Sequence, residues 1–362
     1  MSFSCGFIGL PNSGKSTIFN ALTALAVPCQ PYPFCTIDPN VGVVPVPDAR
    51  LFKLADLLKP EKVTETTIEF VDIAGLIKDA HKGEGLGNRF LSHIRNVDAV
   101  AHVIRAFNSG QVPHVYADID PARDMDIVET EIIISDLEIV EDRIRKIERL
   151  AKISKDKGEA EMELLLRVRR YLEAGRFVTT DDFDESEKQA LSSFDLITTK
   201  PLFYIANVDE EGLAVSPQPA IEEAAAKRGR EVVYICGKLE QDLSALPEDE
   251  RVSFMELYDM KEFSIDKIIH VGYRILGLIT FYTVVGKEMR AWTIPRGTTC
   301  AKAAGKIHTD MEKGFIRAEV INIDDLITCG SEHAAREKGL LSLEGRDYVV
   351  QDGDILHIRF NV

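Results

Sequence analysis

The sequence predicts an α/β fold built on a mostly parallel sheet, interrupted by an antiparallel helical coiled coil and followed by a small α+β domain. Short apolar runs alternate with helical patterns over the first hundred residues and again beyond residue 200, as buried strands of a parallel sheet do. Between these two groups a heptad seam takes over. Beyond residue 277 strand-like stretches surround one short helical stretch.

Along the chain, Phe3 to Leu10, Ile68 to Ile73 and Val97 to Ile104 are the apolar runs of the first group, and Leu202 to Ala206 and Val232 to Cys236 those of the second. From Asp126 the pattern turns helical, with Ile133, Leu137, Val140, Ile144, Ile147 and Ala151 spaced by four and three in turn. Lys155-Asp156-Lys157-Gly158 breaks it, and Glu159 to Glu173 resumes with Met162, Leu165, Val168 and Leu172. Two antiparallel helices with facing seams fit this pair. The acidic run Asp181 to Glu187 reads as a solvated loop or helix start, since adjacent carboxylates without turn glycines do not converge on one cation. In the last third, Ile279 to Val285, Glu288 to Ile294, Phe315 to Ile321 and Ile355 to Phe360 read as strands around the helix Cys300 to His308, and Asn322-Ile323-Asp324-Asp325 reads as a turn. The expected domains are 1–125 with 199–276, an insertion over 126–198, and 277–362.

Composition narrows the class. A chain of 362 residues exceeds one typical domain of about 150. With 45% hydrophobic and 28% charged residues it is folded rather than disordered or collagenous. Its net charge of −16 repels nucleic acid except where basic groups gather locally. Residues 118–200 hold 22 acidic against 14 basic side chains, whereas 261–362 hold 14 of each. The six cysteines form no metal-ligand spacing. With no run of about 18 apolar residues and no signal-like start, a cytoplasmic protein with reduced thiols and no membrane partner is expected.

Gly9-Leu10-Pro11-Asn12-Ser13-Gly14-Lys15-Ser16 matches G-x-x-x-x-G-K-[ST] between an apolar strand and the helical stretch Thr17 to Ala26. Such a loop surrounds a phosphate with backbone N–H groups at a helix N-terminus, where partial positive charge accumulates. Asn12, Ser13, Gly14, Lys15, Ser16 and Thr17 are therefore the phosphate-binding candidates. Lys15 reaches the β- and γ-phosphates as a catalytic charge, and Ser16 places its hydroxyl on Mg²⁺. Asp72-Ile73-Ala74-Gly75, at the end of another apolar strand, supplies an acid for the same Mg²⁺, and Thr36 in the proline-rich loop Tyr32 to Pro39 is a second hydroxyl ligand. That loop and Lys82-Gly83-Glu84-Gly85-Leu86-Gly87 read as two nucleotide switches. The first domain is thus an α/β P-loop NTPase.

Guanine-specific proteins read their base with Asn-Lys-x-Asp after a buried strand. Here that place reads Asn207-Val208-Asp209-Glu210, so the lysine is absent and the acid is one methylene longer. On these motifs, together with Tyr32 to Gly42, Asp72 to Asn88 and Gly345 to Val362, the chain resembles the YchF-type Obg-like ATPases over nearly its whole length. The resemblance implies a G domain, a coiled-coil insertion and a C-terminal TGS domain of β-grasp type. It implies ATP hydrolysis with GTP the weaker ligand, through an adenine pocket at Phe107, Asn207 and Val208 beside Glu210, with Cys236 and Gly237 closing the far side. Phe107 as a core aromatic is the plain alternative. It also implies ribosome association.

The water-positioning glutamine of Ras-like enzymes is here Leu76. Among the candidates His93, His102 and His114, His102 falls in an apolar strand, while His114 follows the loop Asn108-Ser109-Gly110 and could swing toward the γ-phosphate. The resemblance favours His114 as the catalytic group. Proteins similar to this family that lack the glutamine use K⁺ liganded by an asparagine, which points to Asn12. Lys287, Arg290, Arg296, Lys302, Lys306, Lys313 and Arg317 form a modest basic patch for RNA or the ribosome, or simply the lysine-bearing edges of a solvated sheet. An Obg-type GTPase and a nucleotide-binding regulator with negligible hydrolysis are the rival readings.

Overall fold

The computed structural model describes residues 3–24, 40–73, 93–151 apart from 111 and 117, 159–254 apart from 248, 249 and 252, and 263–361. Two six-stranded sheets organise the chain. The first comprises β1 (Ser4–Ile8), β2 (Val41–Pro45), β4 (Thr67–Asp72), β5 (Ala99–Arg105), β6 (Leu202–Asn207) and β7 (Val232–Ile235), in the order β2-β4-β1-β5-β6-β7. Every neighbouring pair is parallel except β2–β4. β5 and β6 are buried at every residue, which explains their unbroken apolar runs.

Both faces of this sheet are covered. On one side Phe7, Phe70 and Phe203 meet Ile18 and Leu22 of α1 (Lys15–Ala24) and Ile265, Ile268 and Ile269 of the helix Ser264–Ile275. On the other, Ile8, Val100 and Tyr204 meet Met125, Val128 and Ile132 at the start of the helix Pro121–Ala151. That helix has 31 residues, about 46 Å at 1.5 Å per residue. Its first turns therefore belong to the sheet and its remainder projects as the arm. There Ile133, Val140 and Ile144 pack against Leu165, Val168 and Leu172 of the helix Glu159–Glu173, with Leu137, Ile147 and Met162 half-buried beside them. Phe183, Leu191 and Phe194 close the cluster, and Asp184 caps the helix Glu185–Ser192 through a capping box, so the acidic run is a helix start.

The second sheet runs β11 (Ser342–Glu344), β10 (Phe315–Asn322), β12 (Asp354–Phe360), β8 (Leu278–Val285), β9 (Glu288–Pro295), β3 (Lys62–Thr64). The helix Cys300–Ile307 lies across one face, with Cys300, Ala303 and Ala304 against Phe281, Ile294 and Leu356. The sequence puts residues 49–64 inside the first domain. In the structure α2 (Ala49–Leu58) buries Leu51 and Leu54 on the other face, against Tyr282, Met289 and Ile323, and β3 pairs in parallel with β9. Asn322 is not a turn residue alone: it caps the helix Ile323–Cys329. Among the described residues no helix is long and apolar enough to cross a membrane.

Candidate functional site

The strand-to-helix loop forms where β1 ends at Ile8 and α1 begins at Lys15. Asn12 and Gly14 sit at φ 64° and 96°, the left-handed region, and a Cβ on Gly14 would lie 2.0 Å from Asn207 Nδ2. Lys15 is 6% exposed and donates to Gly9 O at 3.1 Å and Leu10 O at 2.9 Å. Burial pulls its pKa down to about 8, against the opposing attraction of Asp72. Thr17 is half-buried in the first turn of α1.

Asp72 ends β4, beside Phe7 of β1, and its Oδ2 accepts from Ser16 Oγ at 2.8 Å. Its other oxygen, Oδ1, is buried without a partner. A hydroxyl and a carboxylate carrying an unfilled buried oxygen suit a hard divalent cation, so these residues fit Mg²⁺. Thr36, Gly75, Leu76 and the glycine-rich segment 82–87 lie outside the described residues.

Across the loop, Asn207 closes β6 and is 5% exposed. Its Nδ2 donates to Ser13 O at 2.9 Å, and its Oδ1 accepts from Gly237 N at 3.0 Å. One side chain thus ties the phosphate loop to the turn after β7. A Cβ on Gly237 would stand 3.2 Å from Asn207 Oδ1, so the turn closes tightly there. Val208 and Cys236 are buried alongside. Phe107 is half-buried, with the Arg105 guanidinium 4.4 Å from its ring centroid. Glu210 is exposed at the start of the helix Glu210–Ala214, and Asp209 caps that helix, accepting from Gly212 N at 2.8 Å.

The histidines separate cleanly. His102 is 1% exposed in β5, and burial, with Arg230 and other cations adding, lowers its pKa to about 3. His93 is exposed. His114 lies next to Pro113, whose carbonyl accepts from Asn12 Nδ2 at 3.1 Å. Its own side chain is 5% exposed, with Nε2 2.9 Å from Asp124 Oδ2. Sequence reasoning missed Asp124. The signal was Asp120-Pro121, an N-cap followed by proline, which places Asp124 in the arm helix's first turn.

A mostly parallel sheet whose first strand runs into a lysine-bearing phosphate loop, with an aspartate at the end of the neighbouring strand, is the architecture of P-loop nucleoside triphosphatases, and the turn closing on Asn207 makes this one of G-domain type. Residues 4–136 match the family model described as 50S ribosome-binding GTPase, and residues 278–361 match the YchF-GTPase C-terminal model, described as a protein of unknown function. The chain is 47% identical to the ribosome-binding ATPase YchF of Pasteurella multocida (strain Pm70) and 44% identical to that of Bacillus subtilis (strain 168), with 100% of each chain covered in both cases. The solved YchF GTPase of Schizosaccharomyces pombe is 34% identical, with a TM-score of 0.88 over 99% of this chain and 98% of that one. The chain belongs to the YchF family.

Proposed function

We propose that this protein is a ribosome-binding P-loop ATPase, hydrolysing ATP to ADP and phosphate as a slow nucleotide switch. The observation that carries the base preference is the fate of the Asn-x-x-Glu segment: Val208, where guanine readers have lysine, is 2% exposed, and Asp209 is committed to a helix cap while Glu210 faces solvent. Neither carboxylate of this segment is thereby held against the base edge to read guanine. The base instead lies among Phe107, Asn207, Val208, Cys236 and Gly237.

Backbone N–H groups of Ser13 to Thr17 receive the phosphates, and Lys15 exchanges its two loop carbonyls for phosphate oxygens. Ser16, Asp72 and Thr36 would hold Mg²⁺, which supplies charge neutralisation on the β- and γ-phosphates. His114 orients the attacking water, and Asn12, its amide nitrogen turned to Pro113, offers its oxygen to K⁺. The C-terminal module, of TGS type, meets the ribosome. Arg296, Lys302 and Lys306 line one groove with Phe3, whereas Lys287 is spent on Glu61. A cytoplasmic location goes with that partner.

The experiment is competition of ATP and GTP, at equal concentrations with Mg²⁺, for the site holding one labelled nucleotide. ATP displaces the label at the lower concentration; displacement by GTP at the lower concentration makes the protein a GTPase instead.

A further inference from the structure

We infer that Asp124 is a positioning residue that stores His114 in a resting latch between the phosphate loop and the helical arm. The inference rests on the reading of His114 as the water-orienting group. Asp124 Oδ2, 2.9 Å from Nε2, can only accept, so the bond needs a proton on Nε2, while Nδ1 faces the Tyr116 backbone, with N at 3.1 Å and O at 3.2 Å. Both nitrogens are used, and His114 and Asp124 are 5% and 4% exposed. A ring held this way has neither a free nitrogen nor adjacent solvent for an attacking water. Hydrolysis requires the Nε2 bond to open.

The latch is anchored at both ends. Asp124 Oδ1 accepts from Arg123 Nη2 at 3.1 Å, and Arg123 also holds Asp118 and lies 4.7 Å from the Tyr116 ring centroid. Arg105 donates to Val112 O at 2.7 Å and Pro113 O at 3.2 Å. Asn12 of the phosphate loop shares Pro113 O. Consecutive residues therefore touch the nucleotide site and the first turn of the arm helix. Tyr116 Oη is buried without a partner, so the resting arrangement leaves one polar group of this segment unsatisfied. Recruitment of Asn12 by a ligand, or displacement of the arm root, loosens the same bond.

Asp124→Asn keeps the shape and removes the charge that strengthens the bond to Nε2–H and to Arg123. In the full chain, basal ATP turnover is expected to rise about three- to tenfold with KM for ATP within about twofold, and the double variant Asp124→Asn/His114→Ala to lose that gain. Ring-¹⁵N NMR supplies a readout that does not depend on turnover: the Nε2 proton of His114 exchanges slowly in the wild type and faster in Asp124→Asn. Arg123→Lys, which loosens Asp124 without touching the ring, moves both readouts the same way and serves if the first variant melts below the assay temperature. Turnover at or below the wild-type rate with faster exchange overturns the storage role. Unchanged exchange overturns the latch itself. An unchanged rate in His114→Ala alone instead removes the catalytic reading on which the inference rests.

Discussion

Asn207 joins the phosphate loop to the turn after β7, and removing it tests that joint directly. Asn207→Ala leaves Ser13 O and Gly237 N, now 2.9 Å and 3.0 Å from the side-chain atoms, without partners in a pocket where Asn207 is 5% exposed. Each orphaned buried group costs about 1–3 kcal/mol, so the pair costs about 2–6 kcal/mol. For a domain of about 200 residues, at about 2–4 °C per kcal/mol, that lowers the melting temperature of the nucleotide-free protein by roughly 4–24 °C. Asn207→Asp sharpens the test. Its carboxylate still accepts from Gly237 N but turns a charged oxygen toward Ser13 O, so it is at least as damaging as alanine although it is nearly isosteric. Calorimetry or denaturant unfolding without nucleotide measures both. A loss below about 0.5 kcal/mol for alanine, or wild-type stability for aspartate, refutes the bridging role.

Three further outcomes follow from the same geometry. Because burial lowers Lys15 to about 8 from its ordinary 10.5, the unfolded chain binds more protons between those values. The nucleotide-free protein therefore gains stability as pH rises through that window. ATP restores the ammonium, so binding near pH 8.5 takes up a proton, and titration calorimetry in two buffers of different ionisation enthalpy shows it; equal heats refute it. Turnover is faster in KCl than in NaCl at equal ionic strength if Asn12 serves K⁺, and identical rates remove that role. Neutralising Arg290, Arg296 and Lys302 weakens ribosome co-sedimentation and flattens its salt slope, by about 0.7–0.9 per lost phosphate contact; unchanged sedimentation assigns binding to another surface.

What the sequence made legible followed the spacing of information along the chain. The phosphate loop is contiguous, and Asp72 is in register at a strand end, so both are readable from residues alone. The arm was legible because its seam repeats over many turns. β3 was not: three residues, two of them exposed and one half-buried, carry no period, and only the partner strand β9 makes them a strand. Asn322-Ile323-Asp324-Asp325 looks like a turn because an asparagine accepting from the N–H two residues on begins a turn and a helix alike. Asp124 escaped because its partner, ten residues earlier, sits in an irregular loop where periodicity says nothing about direction.

The same stretch of chain bears on both sheets, and this constrains how a docked partner could reach the phosphates. β2 and β4 pair through five residues of the first sheet, from Val41–Val71 to Pro45–Thr67, and Asp72, next along β4, donates its N–H to Asn40 O at 2.9 Å. Between them, α2 and β3 belong to the second sheet, and only two residues separate Thr64 of β3 from Thr67 of β4. The join is braced: Arg50 links Asp48, the cap of α2, at 3.0 Å to Asp352 at 2.8 Å, and Asp352 accepts from Thr280 N at 2.9 Å. A force on the second sheet thus arrives at the strand that ends in Asp72 without crossing a loose linker. The arm reaches the phosphate loop by a different route, through Asp124 and His114. Coupling needs elements with two arrangements rather than mere proximity. With Asp72 as the proposed cation ligand and His114 as the proposed water-orienting group, the second sheet bears on the first role and the arm on the second, so the two surfaces would act on separable steps of one cycle.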